Sequence, residues 1–329
     1  MSCWRTYRLC SPSGLEVYIA NYGAKILRLL VPDDKGEKTD VVLGFASPEE
    51  WMSQERYFNA VIGRCANRIK DGRFSLEGKD YQLPCNSGGN SLHGGVQGFN
   101  AKWWDEVSKN SQHLTLHYQS KDGEEGYPGN LDVYVTYRVE NNDLSIIYEA
   151  TTDRSTIVNL TNHAYFNLHG EHAISVRDHA LQVLADAYTP FDETACPTGA
   201  ILPVEGTPMD FRQPCLIGER IDDPFFAPGR GIDNNWVLRP NDAHGLQLAA
   251  VLSVPERTME VWTTCPALQV YTGNYVERHA GKSGTVYAPQ NAVCLETQNI
   301  PDAIHHSHFS SPVLRPNEQY REQTVYRFR

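Results

Sequence analysis

The sequence predicts an all-β fold, a large antiparallel twisted β-sandwich with few short helices. Three observations carry that prediction: hydrophobic and polar residues alternate with period two over long stretches, helix signals are sparse, and nothing matches the strand–helix alternation of a parallel sheet. The clearest alternation sets Leu131, Val133, Val135, Tyr137 and Val139 on one side, with Asp132, Tyr134, Thr136 and Arg138 between them. Asn141-Asn142-Asp143 follows, and Leu144-Ser145-Ile146-Ile147-Tyr148 resumes the extended pattern. This reads as a β-hairpin whose turn residues tolerate positive φ. Comparable runs occupy 15–30, 40–45, 73–83, 113–119, 246–254, 259–263, 267–271 and 292–297, with glycine and proline in the gaps. The best helix start is Ser47-Pro48-Glu49-Glu50, where Ser47 can cap, Pro48 suits the first turn and Glu50 completes a capping box. That helix is expected to run two or three turns and stop before Asn59. No internal repeat, low-complexity linker or charge block marks a boundary, so residues 1–329 are expected to form one domain.

Bulk properties restrict the function classes. Forty acidic residues against 29 basic ones give a formal net charge of −11, and no dense Lys/Arg run interrupts that balance. A phosphate-binding surface concentrates positive charge, so neither nucleic acid nor an anionic membrane is an expected partner. No stretch reaches the ~20 consecutive apolar residues that span a bilayer. The start, Met1-Ser2-Cys3-Trp4-Arg5, lacks the continuous apolar core of a secretory signal. The eight cysteines are scattered, without a C-x-x-C pair, and are expected to be reduced thiols in a cytoplasmic protein. On that reading the sequon Asn159-Leu160-Thr161 carries no glycan. A neutral small molecule fits these constraints.

Five segments hold polar residues that a β scaffold has little structural reason to keep: 63–69, 90–95, 160–168, 231–236 and 291–299. In the last, an extended strand puts Val293, Leu295 and Thr297 on one face and Cys294, Glu296 and Gln298 on the other. Burial in so apolar a strand raises a carboxyl pKa and makes Glu296 a candidate general base. An isolated glutamate at such a place is more often on the wet face of an edge strand. His163, between two apolar stretches, is a candidate proton carrier, or else a buried histidine bonded to a carbonyl. His93 precedes Gly94-Gly95, where a ligand could approach the backbone closely, or where the chain simply turns. Arg68 and Asp233 could anchor hydroxyls through charge-assisted hydrogen bonds, or form halves of surface ion pairs.

Taken together the segments resemble a known family. Gly63…Asn67-Arg68-Ile69, Asn90-Ser91-Leu92-His93-Gly94-Gly95, Thr161-Asn162-His163-Ala164-Tyr165-Phe166-Asn167-Leu168, Gln269-Val270-Tyr271-Thr272-Gly273-Asn274 and Leu295-Glu296-Thr297-Gln298 are similar to the motifs of the aldose 1-epimerases, or galactose mutarotases. The motifs keep family order from Gly63 to Asp302. The resemblance implies the galactose mutarotase-like supersandwich, acid–base chemistry without metal or organic cofactor, and a small-molecule sugar as substrate. By the same resemblance the catalytic pair is Glu296 and His163, and the sugar-binding residues are Asn67, Arg68, His93, Asp233 and Gln269. It implies interconversion of α and β anomers of free aldohexoses such as galactose and glucose. Glu296 would take the proton of the C1 hydroxyl while a charged His163 protonates the ring oxygen. Oligomeric state is left as monomer or homodimer. Asn234 stands where many members have histidine, which bears on fine sugar preference, and Asn317 replaces a common glycine at a turn.

Alternatives remain at this level. Asp233 and Glu296 could be the carboxylate pair of a glycosidase, the scaffold could be a non-catalytic sugar-binding module, and a phosphorylated hexose could replace the free sugar. Phe211, Trp103 and Trp104 are candidates to stack on a sugar face, with core packing as the default for such large rings. Gly281-Lys282-Ser283 lacks the first glycine of a P-loop because Val276 stands there. His305, His306 and His308 read as a solvated turn, and His93-Gly94-Gly95 has no accompanying nucleophile elbow.

Overall fold

The computed structural model describes residues 3–53, 57–239 and 245–329. Met1-Ser2, part of the start examined for a secretory signal, and 54–56, where the first helix was expected to continue, lie outside the described residues. The largest sheet has nine strands. Its order is Asp105–Lys109, His113–Ser120, Leu131–Glu140, Asp143–Thr152, Tyr320–Phe328, Arg257–Thr263, Gln247–Val254, Ala180–Val183 and Cys215–Leu216. A second sheet has five strands, in the order Leu202–Pro203, Ala187–Thr189, Asp233–Val237, Ala267–Tyr271 and Cys294–Gln298. A four-stranded meander covers the N-terminal region: Thr6–Cys10, Glu16–Ala20, Ile26–Pro32 and Lys38–Asp40. Neighbouring strands in these three sheets pair antiparallel.

The period-two pattern explains how the layers pack. Leu131, Val133, Val135, Tyr137 and Val139 are fully buried, and their opposite numbers Leu144, Ile146 and Tyr148 point the same way across the hairpin. Asn141 takes φ +50° at its tip, as the turn requires. Trp236, Leu268, Val270 and Leu295 from the five-stranded sheet join these residues in one apolar core. The layers also touch through polar groups: the Thr297 and Thr324 hydroxyls are 2.5 Å apart. Truncating one such core leucine to alanine costs about 2–5 kcal/mol.

Helices are as sparse as predicted. Pro48–Ser53 begins with the anticipated capping box: Ser47 Oγ accepts from the Glu50 N–H, and Glu50 Oε2 accepts from the Ser47 N–H. The other α-helix among the described residues is Ile217–Arg220. The run 15–30 is two strands, because Gly23 and Ala24 turn the chain with positive φ. The expected strand at 40–45 is not one. The strand ends at Asp40, and beyond it an isolated antiparallel bridge sets Val42 opposite Phe166 while the rest is claimed piecemeal: Val41 donates to Leu29, Leu43 donates to Tyr165, and Asn59 Nδ2 donates to the Leu43 carbonyl. None of the helices among the described residues is long and apolar enough to cross a membrane. All eight cysteines are unbonded.

Candidate active site

The five-stranded sheet is two-sided, and its second face forms the floor of a cleft. Alternation places Trp236, Leu268 and Leu295 toward the core, so Asn235, Gln269 and Glu296 face the other way. Register brings them side by side: Thr189 lies opposite Asn235, Asn235 opposite Gln269, and Gln269 opposite Glu296. Cross-strand partners have Cβ atoms about 4.5–5.5 Å apart, so the sheet lays a polar row across its own width. Gln269 Nε2 donates to Asp233 Oδ1 at 2.7 Å, and Asn235 Nδ2 donates to Thr189 Oγ1 at 3.0 Å. The strand carrying Glu296 is at the sheet edge, yet the carboxyl is buried. The edge is covered by the segment that carries His163.

His163 follows the short strand Thr161–Asn162, which pairs with Val61–Ile62. Its N–H donates to Ala60 O at 3.0 Å, and its carbonyl accepts from the Asn59 N–H at 2.9 Å. Asn59, fully buried with φ +53°, clamps this crossing: its amide donates to the Ile26 and Leu43 carbonyls while its Oδ1 accepts from the Tyr165 N–H. Sequence reasoning missed Asn59, whose only advance signal is an asparagine ahead of an apolar run. The result is an imidazole–carboxyl pair with His163 Nε2 3.5 Å from Glu296 Oε1, both side chains nearly inaccessible. Glu296 Oε2 and His163 Nδ1 have no hydrogen-bond partner among the described residues.

The third wall comes from the loops around Asn67 and His93. The strand Arg68–Ile69 pairs with Ser91–Leu92, and both Asn67 and His93 take left-handed φ. The Asn67 N–H donates to His93 Nδ1 at 3.1 Å, which leaves the His93 proton on Nε2 as a donor. Asn67 Oδ1 accepts from the Arg68 N–H at 2.8 Å. Gly94, at φ +85°, lies so close to the Gly63 carbonyl that a Cβ would come within 1.8 Å of it, which ties the first two polar segments together. Asn67, Arg68, His93, His163, Asp233, Gln269 and Glu296 all line one cleft of about 390 Å³, with Tyr57, Tyr165, Tyr271 and Tyr275 beside them. A smaller compartment of about 110 Å³ continues outward past Arg68 and Asp233, toward Thr189 and Phe191.

Burial sets the electrostatics. It pushes the Glu296 carboxyl well above the usual carboxylate range, Asp233 adds to that rise, and Arg68 opposes it. Burial also raises the Asp233 carboxyl, against Arg68 and the Gln269 hydrogen bond. The same loss of water lowers the His163 imidazole to about 4. The Glu296 and His163 shifts both favour the neutral forms, whereas the resemblance implies a charged His163 during the reaction. Donor atoms of His93, His163 and Glu296 lie within 4.8 Å of one another. The Asn67 hydrogen bond, however, keeps the His93 proton on the nitrogen a cation would need, so the trio is a poor metal cradle.

Some expectations fall outside the cleft. Phe211 is fully buried against Trp236, Trp104 packs on Phe99 and Tyr118, and Trp103 meets Tyr22 at 4.9 Å. The rings that line the cleft are tyrosines instead. Asn234 alternates with Asp233 onto the core face, where its Oδ1 accepts from the Asp233 N–H, so it does not share the cleft face of Asp233. Asn317 is at a turn with φ +70°. Lys282 is buried in an ion pair with Asp40 at 2.8 Å, which is a structural role.

Comparisons with known proteins agree on one family. The sequence profile described as aldose 1-epimerase matches residues 5–327. The galactose mutarotases of Rattus norvegicus and Mus musculus are each 43% identical to this chain, over 95% of it and 91% of their own length. The solved structure of the GalM/aldose epimerase homologue from C. elegans superposes with a TM-score of 0.92 at 29% identity, covering 99% of both chains. The chain is a member of the aldose 1-epimerase family.

Proposed function

We propose that this protein is an aldose 1-epimerase, an isomerase that interconverts the α and β anomers of free aldohexoses such as galactose and glucose. The observation that carries the reading is the His163–Glu296 pair at 3.5 Å, buried at the bottom of a cleft otherwise lined by hydrogen-bonding side chains. The name galactose mutarotase borne by relatives at 43% identity supports galactose as a substrate. The cleft volume is within the ~300–1,000 Å³ typical of small-ligand sites.

In this reading Glu296 takes the proton of the C1 hydroxyl and His163 delivers one to the ring oxygen. The C1–O5 bond breaks, the aldehyde turns about C1–C2, and attack of the O5 hydroxyl on the other carbonyl face inverts C1. His163 takes back the O5 proton and Glu296 returns one to O1. The pair needs one proton between its members, and such close groups titrate together. Burial disfavours the separated-charge form; the sugar's hydroxyls and Arg68 offset that cost. Arg68, Asn67, the His93 Nε2–H, Asp233 and Gln269 hold the remaining hydroxyls, keeping the reacting atoms within reach. Each proton transfer contributes about 10²–10⁴-fold. No cofactor is required by these steps.

The reading extends to one domain over 1–329, supported by the apolar core shared by both large sheets and by a family match from 5 to 327. It also extends to a cytoplasmic protein, monomer or homodimer, that engages neither nucleic acid nor membrane; eight unbonded thiols and the net charge of −11 fit that setting. Polarimetry of freshly dissolved α-D-galactose and α-D-glucose tests the activity. Faster approach to the same final rotation is expected, with a chromogenic glycoside left intact. A trace identical to the buffer blank for both sugars would overturn the proposal.

A further inference from the structure

Histidines that move protons are ordinarily held in plane by a hydrogen bond from the second ring nitrogen to a carbonyl or carboxylate. His163 has no such bond to another residue: Nδ1 meets no partner among the described residues, only its own backbone acts on the ring, and Nε2 is 3.5 Å from Glu296. What surrounds the imidazole is aromatic. Tyr165 lies parallel to it, with ring centroids 5.0 Å apart and 16° between planes. Phe58 lies parallel behind Tyr165 at 4.0 Å and 7°, and Tyr287 continues the stack at 6.3 Å and 14°. Tyr57 is parallel on the other side of His163 at 6.1 Å, and Tyr271 and His93 meet it edge-on. The far end of the stack is fixed, since the Tyr287 hydroxyl donates to Glu171 at 2.8 Å and accepts from the Gly44 N–H at 3.1 Å. The Asn59 clamp on the Tyr165 N–H ties the same stack to the backbone that carries His163.

We infer that Tyr165 is a positioning residue for the epimerase reaction: its ring face, backed by Phe58, sets the plane of the His163 imidazole in place of the missing hydrogen bond. The inference rests on the reading in which His163 carries a proton. The arrangement suits that task. A hydrogen-bonded Nδ1 would favour one tautomer, whereas a ring face holds the plane and leaves both nitrogens free to exchange protons. Tyr165 also covers the imidazole from water, the cause of its low proton affinity.

The test is kcat and KM for mutarotation across pH in Tyr165→Leu, Tyr165→Phe, Phe58→Leu and His163→Asn, each checked for folding by thermal unfolding. Tyr165→Leu is expected to lose about 10²-fold in kcat, the scale of a 1 Å misplacement, with KM changed by less than about threefold. Tyr165→Phe should restore most of the loss. Phe58→Leu should show a smaller loss of the same kind, and serves as the test if Tyr165→Leu does not fold. With its cover removed, His163 should bind protons more readily, so the acid limb of the leucine variant should move to higher pH. Wild-type kcat in both leucine variants beside an inactive His163→Asn overturns the positioning role alone. An active His163→Asn overturns both that role and the proton-carrier reading beneath it. Equal losses in Tyr165→Phe and Tyr165→Leu would assign the effect to the hydroxyl and overturn the ring-face argument.

Discussion

Two carboxylate–imidazole pairs in this chain differ in contact distance and in the exposure of the histidine. Asp302 and His305 are joined by a 2.7 Å hydrogen bond through His305 Nδ1, and Asp302 Oδ1 also accepts from the Lys70 N–H. The Asp302 N–H donates to the Arg68 carbonyl, so the pair braces the back of the loop that carries Arg68. The hydrogen bond to Asp302 raises the His305 imidazole above its ordinary range, favouring its charged form. In the His163–Glu296 pair the atoms are 3.5 Å apart and nearly inaccessible; Glu296 Oε2 and His163 Nδ1 have no hydrogen-bond partner among the described residues, and the same is true of Asp302 Oδ2 in the other pair. Burial then shifts both groups toward their neutral forms. A pair joined by a short hydrogen bond, with its histidine partly exposed, fixes charge and holds structure. A pair buried on both sides, with its atoms 3.5 Å apart, keeps its protons transferable.

This contrast predicts a graded series of effects. The largest belongs to Glu296→Gln and His163→Asn: each should lower kcat by about 10²–10⁴-fold, read by polarimetry, with the fold intact by circular dichroism. Next come Arg68→Ala and Asp233→Asn, which remove hydrogen bonds to charged groups worth about 1.5–3 kcal/mol. Steady-state kinetics should show kcat/KM lower by about 10–100-fold, with much of the change in KM. The pH profile of kcat/KM should be a bell whose acid limb is near the lowered His163 value of about 4 and whose alkaline limb lies above the ordinary carboxylate range. A profile centred on ordinary values would break the burial argument.

Smaller effects concern stability. Glu296 has a folded-state pKa raised above its unfolded value of 4.5, so the unfolded chain ionises first and stability falls as pH rises from there toward the folded value. Glu296→Gln should therefore unfold at a higher temperature than wild type at pH 7, and the advantage should vanish below pH ~4. Asp302→Asn should behave oppositely. His305 is raised in the folded state, so its contribution is complete below the ordinary 6.5 and is lost as pH rises through the folded value. With His305 partly exposed and Asp302 buried, the pair is worth about 1–2 kcal/mol, seen as a stability loss near pH 6 that shrinks by pH 8.

How much of this was legible in the sequence depends on the kind of information involved. The hairpin at 131–148 was, because period-two alternation writes burial directly into residue type. The two faces of the strand around Glu296 were legible for the same reason. The segment 40–45 was misread because its backbone bonds to distant loops that no local pattern announces. Six of the seven proposed site residues could be named because they occur in motifs similar to those of a family, and Asp233 because it lies in another polar segment of the same series. Asn59 and the tyrosine lining could not, since their roles arise where separated segments cross. The lowered proton affinity of His163 was also hidden, because it follows from the burial of the ring in the folded chain. Phe211 and Trp104 show the reverse failure, where a plausible sugar-stacking ring is ordinary core.

The most direct test compares Glu296→Gln with Asp302→Asn in one polarimetric assay of α-D-galactose at pH 7. The account predicts that the first variant approaches final rotation at close to the uncatalysed rate, while the second stays within about threefold of wild type because its pair only braces the Arg68 loop. Wild-type mutarotation by Glu296→Gln, with activity lost in Asp302→Asn, would contradict the assignment of proton transfer to the buried pair.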